Sequence, residues 1–145
     1  MESQNSSVEP SSIPAPKGEH TGLNPKGVVA FAAALAVPGA GHLLNGRWRR
    51  GLIVAVILIG IFVLGLLLHG RLDTLDLANR LSIVFVFANA GSGIMYVACL
   101  LGHVGIDVQA QNPTFEYGTA LLRLAGLLNY LVALDAYDVA VGRKP

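Results

Sequence analysis

Four apolar runs separated by short polar stretches organise the chain, and each is long enough to be read as a helix. Gly51 to Leu68 is the clearest. Its roughly 18 residues carry no charge and, at about 1.5 Å per residue, cover about 27 Å, close to the hydrocarbon thickness of a bilayer. A helix apolar on every side needs an apolar solvent, which a small soluble domain does not offer. Leu81 to Leu101 is also uncharged, but Asn89, Gly91, Ser92 and Gly93 interrupt it. Gly118 to Val141 carries Arg123, Asn129, Asp135 and Asp138. Gly27 to Leu44 is the weakest run, because Ala and Gly dominate it and insertion into lipid rewards Leu and Ile more.

The pattern therefore predicts an all-α polytopic membrane protein with four transmembrane helices in a small bundle, at 27–44, 51–68, 81–101 and 118–141. A Ser-, Pro- and Glu-rich stretch over residues 1–26 has no apolar face and reads as a disordered polar tail. Asn45 to Arg50 is too short for anything but a turn between antiparallel helices. Between Gly70 and Arg80, Asp73 and Asp76 balance Arg71 and Arg80, with room for a short interfacial helix over Arg71–Asn79. Pro113 stops any helix in the stretch from Gly102 to Tyr117.

Composition strengthens the membrane reading. Charged residues are 13% of the 145 against 53% apolar, whereas soluble chains average about 25% charged, so lipid must replace water over much of the surface. A net charge of +1 leaves no concentrated basic face for nucleic acid. The expected partners are the bilayer itself and a second copy or a larger membrane complex. The one cysteine, Cys99, lies inside an apolar run and reads as packing.

Chemistry-bearing motifs are sparse. His42 and His69 lie at opposite ends of the second run, about a membrane thickness apart, so they cannot share a metal. His103 has no spacing motif with either. Gly91-Ser92-Gly93 superficially resembles the serine loop of intramembrane proteases, but the residue before it is Ala90. No metalloprotease helix, phosphate loop, dinucleotide glycine pattern or nucleophile elbow occurs. Neither a cofactor nor a catalytic residue is expected.

Pro38-Gly39-Ala40-Gly41-His42, followed by Asn45-Gly46-Arg47 and by Gly51, resembles the turn of the two-transmembrane hairpin domain family. In that pattern glycines let two helices approach closely, while the basic residue anchors the turn among lipid phosphates. Here Arg47, Arg49 and Arg50 flank Trp48, a residue suited to the headgroup level. The chain has Leu44 where relatives carry an aromatic, and lacks the Asp-Arg-Phe triplet of receptor-like members. Together with Glu116-Tyr117-Gly118, Gly126-Leu127-Leu128-Asn129 and Leu134-Asp135-Ala136-Tyr137-Asp138, the sequence resembles a bacterial membrane-protein family known only as a domain of unknown function. The resemblance implies a bacterial inner membrane and no particular activity.

Ionisable groups inside a span cost about 2.5–3.5 kcal/mol each on insertion scales and each needs an account. Arg123 either snorkels to the nearer interface or forms a buried ion pair. Asp135 and Asp138 form an interfacial cluster with Arg143 and Lys144. Asn129 lies on a small-residue stripe with Ala125, Ala133, Ala136 and Ala140, facing Ala88, Asn89, Ser92 and Gly93 across a helix interface, and is expected to hydrogen-bond to Asn89 or Ser92. These stripes are the expected association surfaces. In the alternative, a transporter or ion-permeation subunit, Asp135, Asn129 and Arg123 line a polar path. The arginine triplet favours a cytoplasmic turn at 45–50, although four spans would put Lys17, Lys26, Arg71, Arg80, Arg143 and Lys144 on the opposite side.

Overall fold

The computed structural model describes residues 24–108 and 112–143, and the described residues are helical without any strand. Most of the tail expected at 1–26 lies outside them, but its last residues do not continue it. Asn24 caps a helix by accepting from Lys26 N at 3.1 Å, and Pro25 occupies the first helical position, where its missing N–H is no loss. This helix, α1, is Pro25–Ala36. It stops because Val37, preceding Pro38, is held in an extended conformation. Gly39, at φ +83°, then reverses the chain into a five-residue helix, α2 (Ala40–Leu44).

Two long helices follow the expected runs: α3 (Trp48–Leu67) and α6 (Phe115–Ala140), the latter starting three residues ahead of the expected span because the break at Pro113 sits that close. Between them lie α4 (Arg80–Ala90), capped by Asn79, and α5 (Ile94–Leu101). The two are separated at Gly91–Gly93 and bent by 115°. Gly93, at φ +60° and ψ −127°, holds a conformation that side-chain-bearing residues rarely adopt.

Contacts along α6 show where each element runs. Gly65 of α3 lies against Gly118 and Leu122, near the start of α6, while His42, just ahead of α3, reaches Asp135 near its end, so α3 and α6 are antiparallel. Gly27 of α1 sits beside Tyr137 and Val141, and Ala34 sits at Asn129, eight residues back from Tyr137 along α6. The chain then turns back: Gly41 abuts Ala30, Ala34 and Ala136, and Asn45 donates to Ala136 O at 2.9 Å. From the other end, α4 passes Gly126 at Ala88 and reaches Asn129 at Gly91. There α5 reverses, bringing Tyr96 back to Asp73 and Gly105 back to Leu66 and Leu72.

The bundle therefore consists of two traversing helices and two hairpins that enter from opposite ends and meet near the middle of α6. At the meeting point a Cβ on Gly93 would strike the carbonyls of Leu35 and Ala36. The four expected spans are not all matched by a helix of spanning length. Two helices are long and apolar enough to cross a membrane, or three if α4 and α5 are counted as one broken span. Nor does Arg71–Asn79 form an interfacial helix; it is irregular, with Leu72 fully buried in a core of Phe62, Tyr96, Leu122 and Ala125. A second core of Ala34, Ala133 and Ala136 fills the other end.

Candidate functional site

The irregular segment 70–79 is tied down by side chains from the helices around it. Thr119 accepts from Arg71 N at 3.0 Å, and Leu72 N donates to Gly105 O at 2.7 Å. Ser82 receives Asp76 N at 2.8 Å and donates to Thr74 O at 2.9 Å. The Tyr96 hydroxyl donates to Asp73 O at 2.6 Å. These partners replace the bonds a helix would have supplied, which is why an irregular backbone is tolerated beside apolar helices.

Asp73 is the centre of this arrangement. Arg123 of α6 grips its carboxylate in the two-pronged geometry, Nε to Oδ2 at 2.8 Å and Nη2 to Oδ1 at 3.0 Å, and Asn89 Nδ2 adds a third bond at 3.0 Å. The guanidinium lies 3.8 Å over the Phe85 ring. Paired charges, a planar fork and an aromatic face together offset the cost of removing both ions from water. A cavity of about 270 Å³ opens beside the pair, with Arg71, Asp76, Asn79 and Phe115 in its wall.

At the meeting of the hairpins Asn129 is fully buried, and its amide N–H groups reach Ala34 O at 3.0 Å and Gly91 O at 2.8 Å. Both carbonyls belong to helix ends that lack a partner further along their own helix. Asn129 thus serves backbone on two hairpins rather than Asn89 or Ser92. The Asn89 Oδ1, Ser92 Oγ and Asn129 Oδ1 atoms find no hydrogen-bond partner among the described residues.

At the opposite end His42 is 3% exposed and its Nε2 is 3.6 Å from Asp135 Oδ2. Burial pushes its pKa below the ordinary value; Asp135 opposes this, and Arg47 and Arg50 add to it. In the turn, Gly39 and Gly51 pass so closely that a Cβ on either would meet the other's carbonyl, and Pro38 and Gly41 are buried beside them. Gly46 turns at φ +73° in open space, and Trp48, Arg49 and Arg50 point outward while Arg47 is half-buried. Asp138 lies 3.9 Å from Arg143. Lys144 is outside the described residues.

A family of unknown function (DUF6677) matches residues 28–145. The chain belongs to that family. No curated protein and no solved structure matches it. The DUF6677 match begins inside α1 and takes in both hairpins and both traversing helices.

Within this DUF6677 chain, Arg123, Asn129 and Asp135 do not line one path. Arg123 is at the end near the 70–79 segment, Asn129 is spent on backbone at the middle, and Asp135 is beside His42 at the far end. The stripes of Ala125, Asn129, Ala133 and Ala136 and of Ala88, Asn89 and Ser92 are buried within the bundle, so they are not outward association surfaces. No group of three or more metal-ligating side chains occurs among the described residues. Asp73 and Tyr96 were not legible as site residues: in sequence Asp73 balances nearby arginines, and nothing marks its pairing with Arg123, 50 positions away.

Proposed function

We propose that this protein is a non-enzymatic, multi-pass component of the bacterial inner membrane that acts by associating with a second copy or a larger membrane complex. The observation that carries the reading is the outer face of α3. Of its 20 residues only Gly51, Leu58, Phe62 and Gly65 are buried, and Leu52, Ile53, Val56, Val63 and Leu67 project away from the bundle. Gly60 on this face has nothing within 4 Å, a notch that lets another helix approach closely.

Two traversing helices with two half-way hairpins support an orientation as well. Under that arrangement Lys26, Arg47, Arg49, Arg50 and Arg143 share one side, whereas Arg71 and Arg80 share the other with Asp76, Asp107 and Glu116. The side rich in Lys and Arg is retained in the cytoplasm, so the turn at 45–50 is assigned there. The conflict that four spans created is removed, because α1 and the end of α6 now lie on the same side as the turn.

Association is tested by placing a single cysteine at Gly60 in a Cys99→Ser background and oxidising native membranes. A disulfide-linked dimer, or a mixed disulfide with one membrane protein, is expected. Only monomer from Gly60→Cys, together with a monomeric mass in mild detergent, would remove the association reading.

A further inference from the structure

Between α3 and α6 runs an apolar groove of about 340 Å³, walled by Ile57 and Leu58 on one side and Leu131 and Val132 on the other. It is closed at one end by His42 and Asp135. Its lining runs from Leu128 to Asp135 along α6, about 10 Å at ~1.5 Å per residue, and its polar end faces the end of the bundle that carries Arg47 and Arg50.

That polar end presents both signs of charge. The Asp135 side chain keeps 41% of its accessibility in the groove wall, beside a His42 that is almost wholly enclosed. Arg50 lies four residues before Val54 and seven before Ile57, on the groove-lining face of α3, and the turn carrying it and Arg47 frames an open hollow of about 570 Å³. An apolar slot about 10 Å long between two helices suits a segment of an acyl chain. Guanidiniums suit a phosphate, and a carboxylate suits a hydrogen-bond-donating ammonium.

We propose that this groove binds a phospholipid with a primary-amine headgroup, with phosphatidylethanolamine chemistry. The acyl chain lies between α3 and α6, the phosphate is held by Arg47 and Arg50, and the ammonium is held by Asp135. A choline headgroup keeps the charge but has no N–H to give, and a glycerol headgroup has no cation, so both bind more weakly. The site rests on the membrane reading but not on association through α3.

The test uses the full chain in mild detergent, with phosphatidylethanolamine, its mono- and dimethylated forms, phosphatidylcholine and phosphatidylglycerol of identical acyl chains. Thermal midpoint and lipid retention in native mass spectrometry are the readouts. Unsubstituted phosphatidylethanolamine is expected to raise the midpoint most and to be retained about tenfold better than phosphatidylcholine, with the response falling at each added methyl. Asp135→Asn is expected to erase that preference while leaving the response to phosphatidylglycerol. Arg47→Gln with Arg50→Gln is expected to weaken all of them, and Leu131→Trp, which fills the groove, to abolish them. The methylation series needs no substitution, so poor folding of a variant does not decide the matter. Equal responses to all headgroups would overturn the amine assignment, and an unchanged response in Leu131→Trp would overturn the groove. Loss of a dimer in Leu131→Trp with lipid response intact would assign the groove to a second copy and overturn the proposal. In each of those outcomes the protein still requires detergent, which keeps the membrane reading separate.

Discussion

At the residue scale, the energetics turn on polar groups placed where water is scarce. The Arg123 and Asp73 side chains retain 30% and 18% of their accessibility, so water still reaches the pair. The 3–5 kcal/mol cost of breaking a fully buried pair is then an upper limit. Asp73→Asn or Arg123→Gln alone is expected to lower thermal stability in detergent, and the double substitution to lose less than the sum, with a coupling of about 1–3 kcal/mol. Additive losses would mean the two side chains act independently. His42 gives a different signature. Its pKa is lowered in the folded protein, so an unfolded chain takes up the proton first as pH falls. Its stabilising contribution is complete above its ordinary pKa near 6.5 and is lost as pH falls from there toward the lowered value. The groups facing it are Asp135, which opposes the shift, and Arg47 and Arg50, which deepen it. Melting curves of the protein and of His42→Gln are expected to diverge above pH 6.5 and converge below, with Asp135→Asn widening the dependence; parallel curves would contradict this sign.

At the element scale, glycine decides which helices can be where they are. A Cβ on Gly126 would run into the carbonyl of Ala88, and the obstacle is backbone that cannot swing aside. Gly126→Ala is expected to push α4 from α6 and to cost about 1–3 kcal/mol. In the monomer Gly60→Ala meets nothing within 4 Å and exchanges a poor helix former for a good one, a gain of up to about 1 kcal/mol when the protein is held monomeric. Opposite shifts in midpoint for the same chemical change are the expected result, and equal shifts would mean that the α4–α6 contact is not close. Much of this scale was legible in advance. The runs at 51–68 and 118–141 became α3 and α6, and Gly91 and Gly93 were visible as interruptions, whereas Pro38 was read only as part of a turn pattern inside the run 27–44. Their consequence was not visible, because a hydropathy pattern measures how apolar a segment is and carries no direction. The local breaks at Pro38–Gly39 and at Gly93 permit the reversals, and tertiary contacts hold the two hairpin ends together: Gly93 nests on the carbonyls of Leu35 and Ala36, and Asn129 serves both. The segment 71–79 left room for a helix for the same reason, since the hydroxyls of Thr119 and Tyr96 that hold it open come from distant elements and join that of Ser82 in the first turn of α4.

At the scale of the whole molecule, counting traversals decides which polar segments share a side. Four spans place the 45–50 turn opposite both the start of α1 and the end of α6. Two traversals and two returning hairpins place all three together, as the contacts of Asn45 with Ala136 and of Gly27 with Tyr137 and Val141 require. Single cysteines at Asn45, Gly142, Thr74 and Asp107 in a Cys99→Ser background separate the two arrangements, because each site is outside the apolar interior. With an impermeant thiol reagent on intact cells, Thr74→Cys and Asp107→Cys are expected to label, and Asn45→Cys and Gly142→Cys only after the membrane is opened. Labelling of Asn45 and Gly142 from opposite sides would restore a four-span chain and remove the returning hairpins. Labelling of those two from outside, with Thr74 and Asp107 protected, would keep the hairpins and invert the molecule. That inversion would require the five basic groups of one end to cross the membrane while Arg71 and Arg80 stay behind, against the retention of Lys and Arg near span ends.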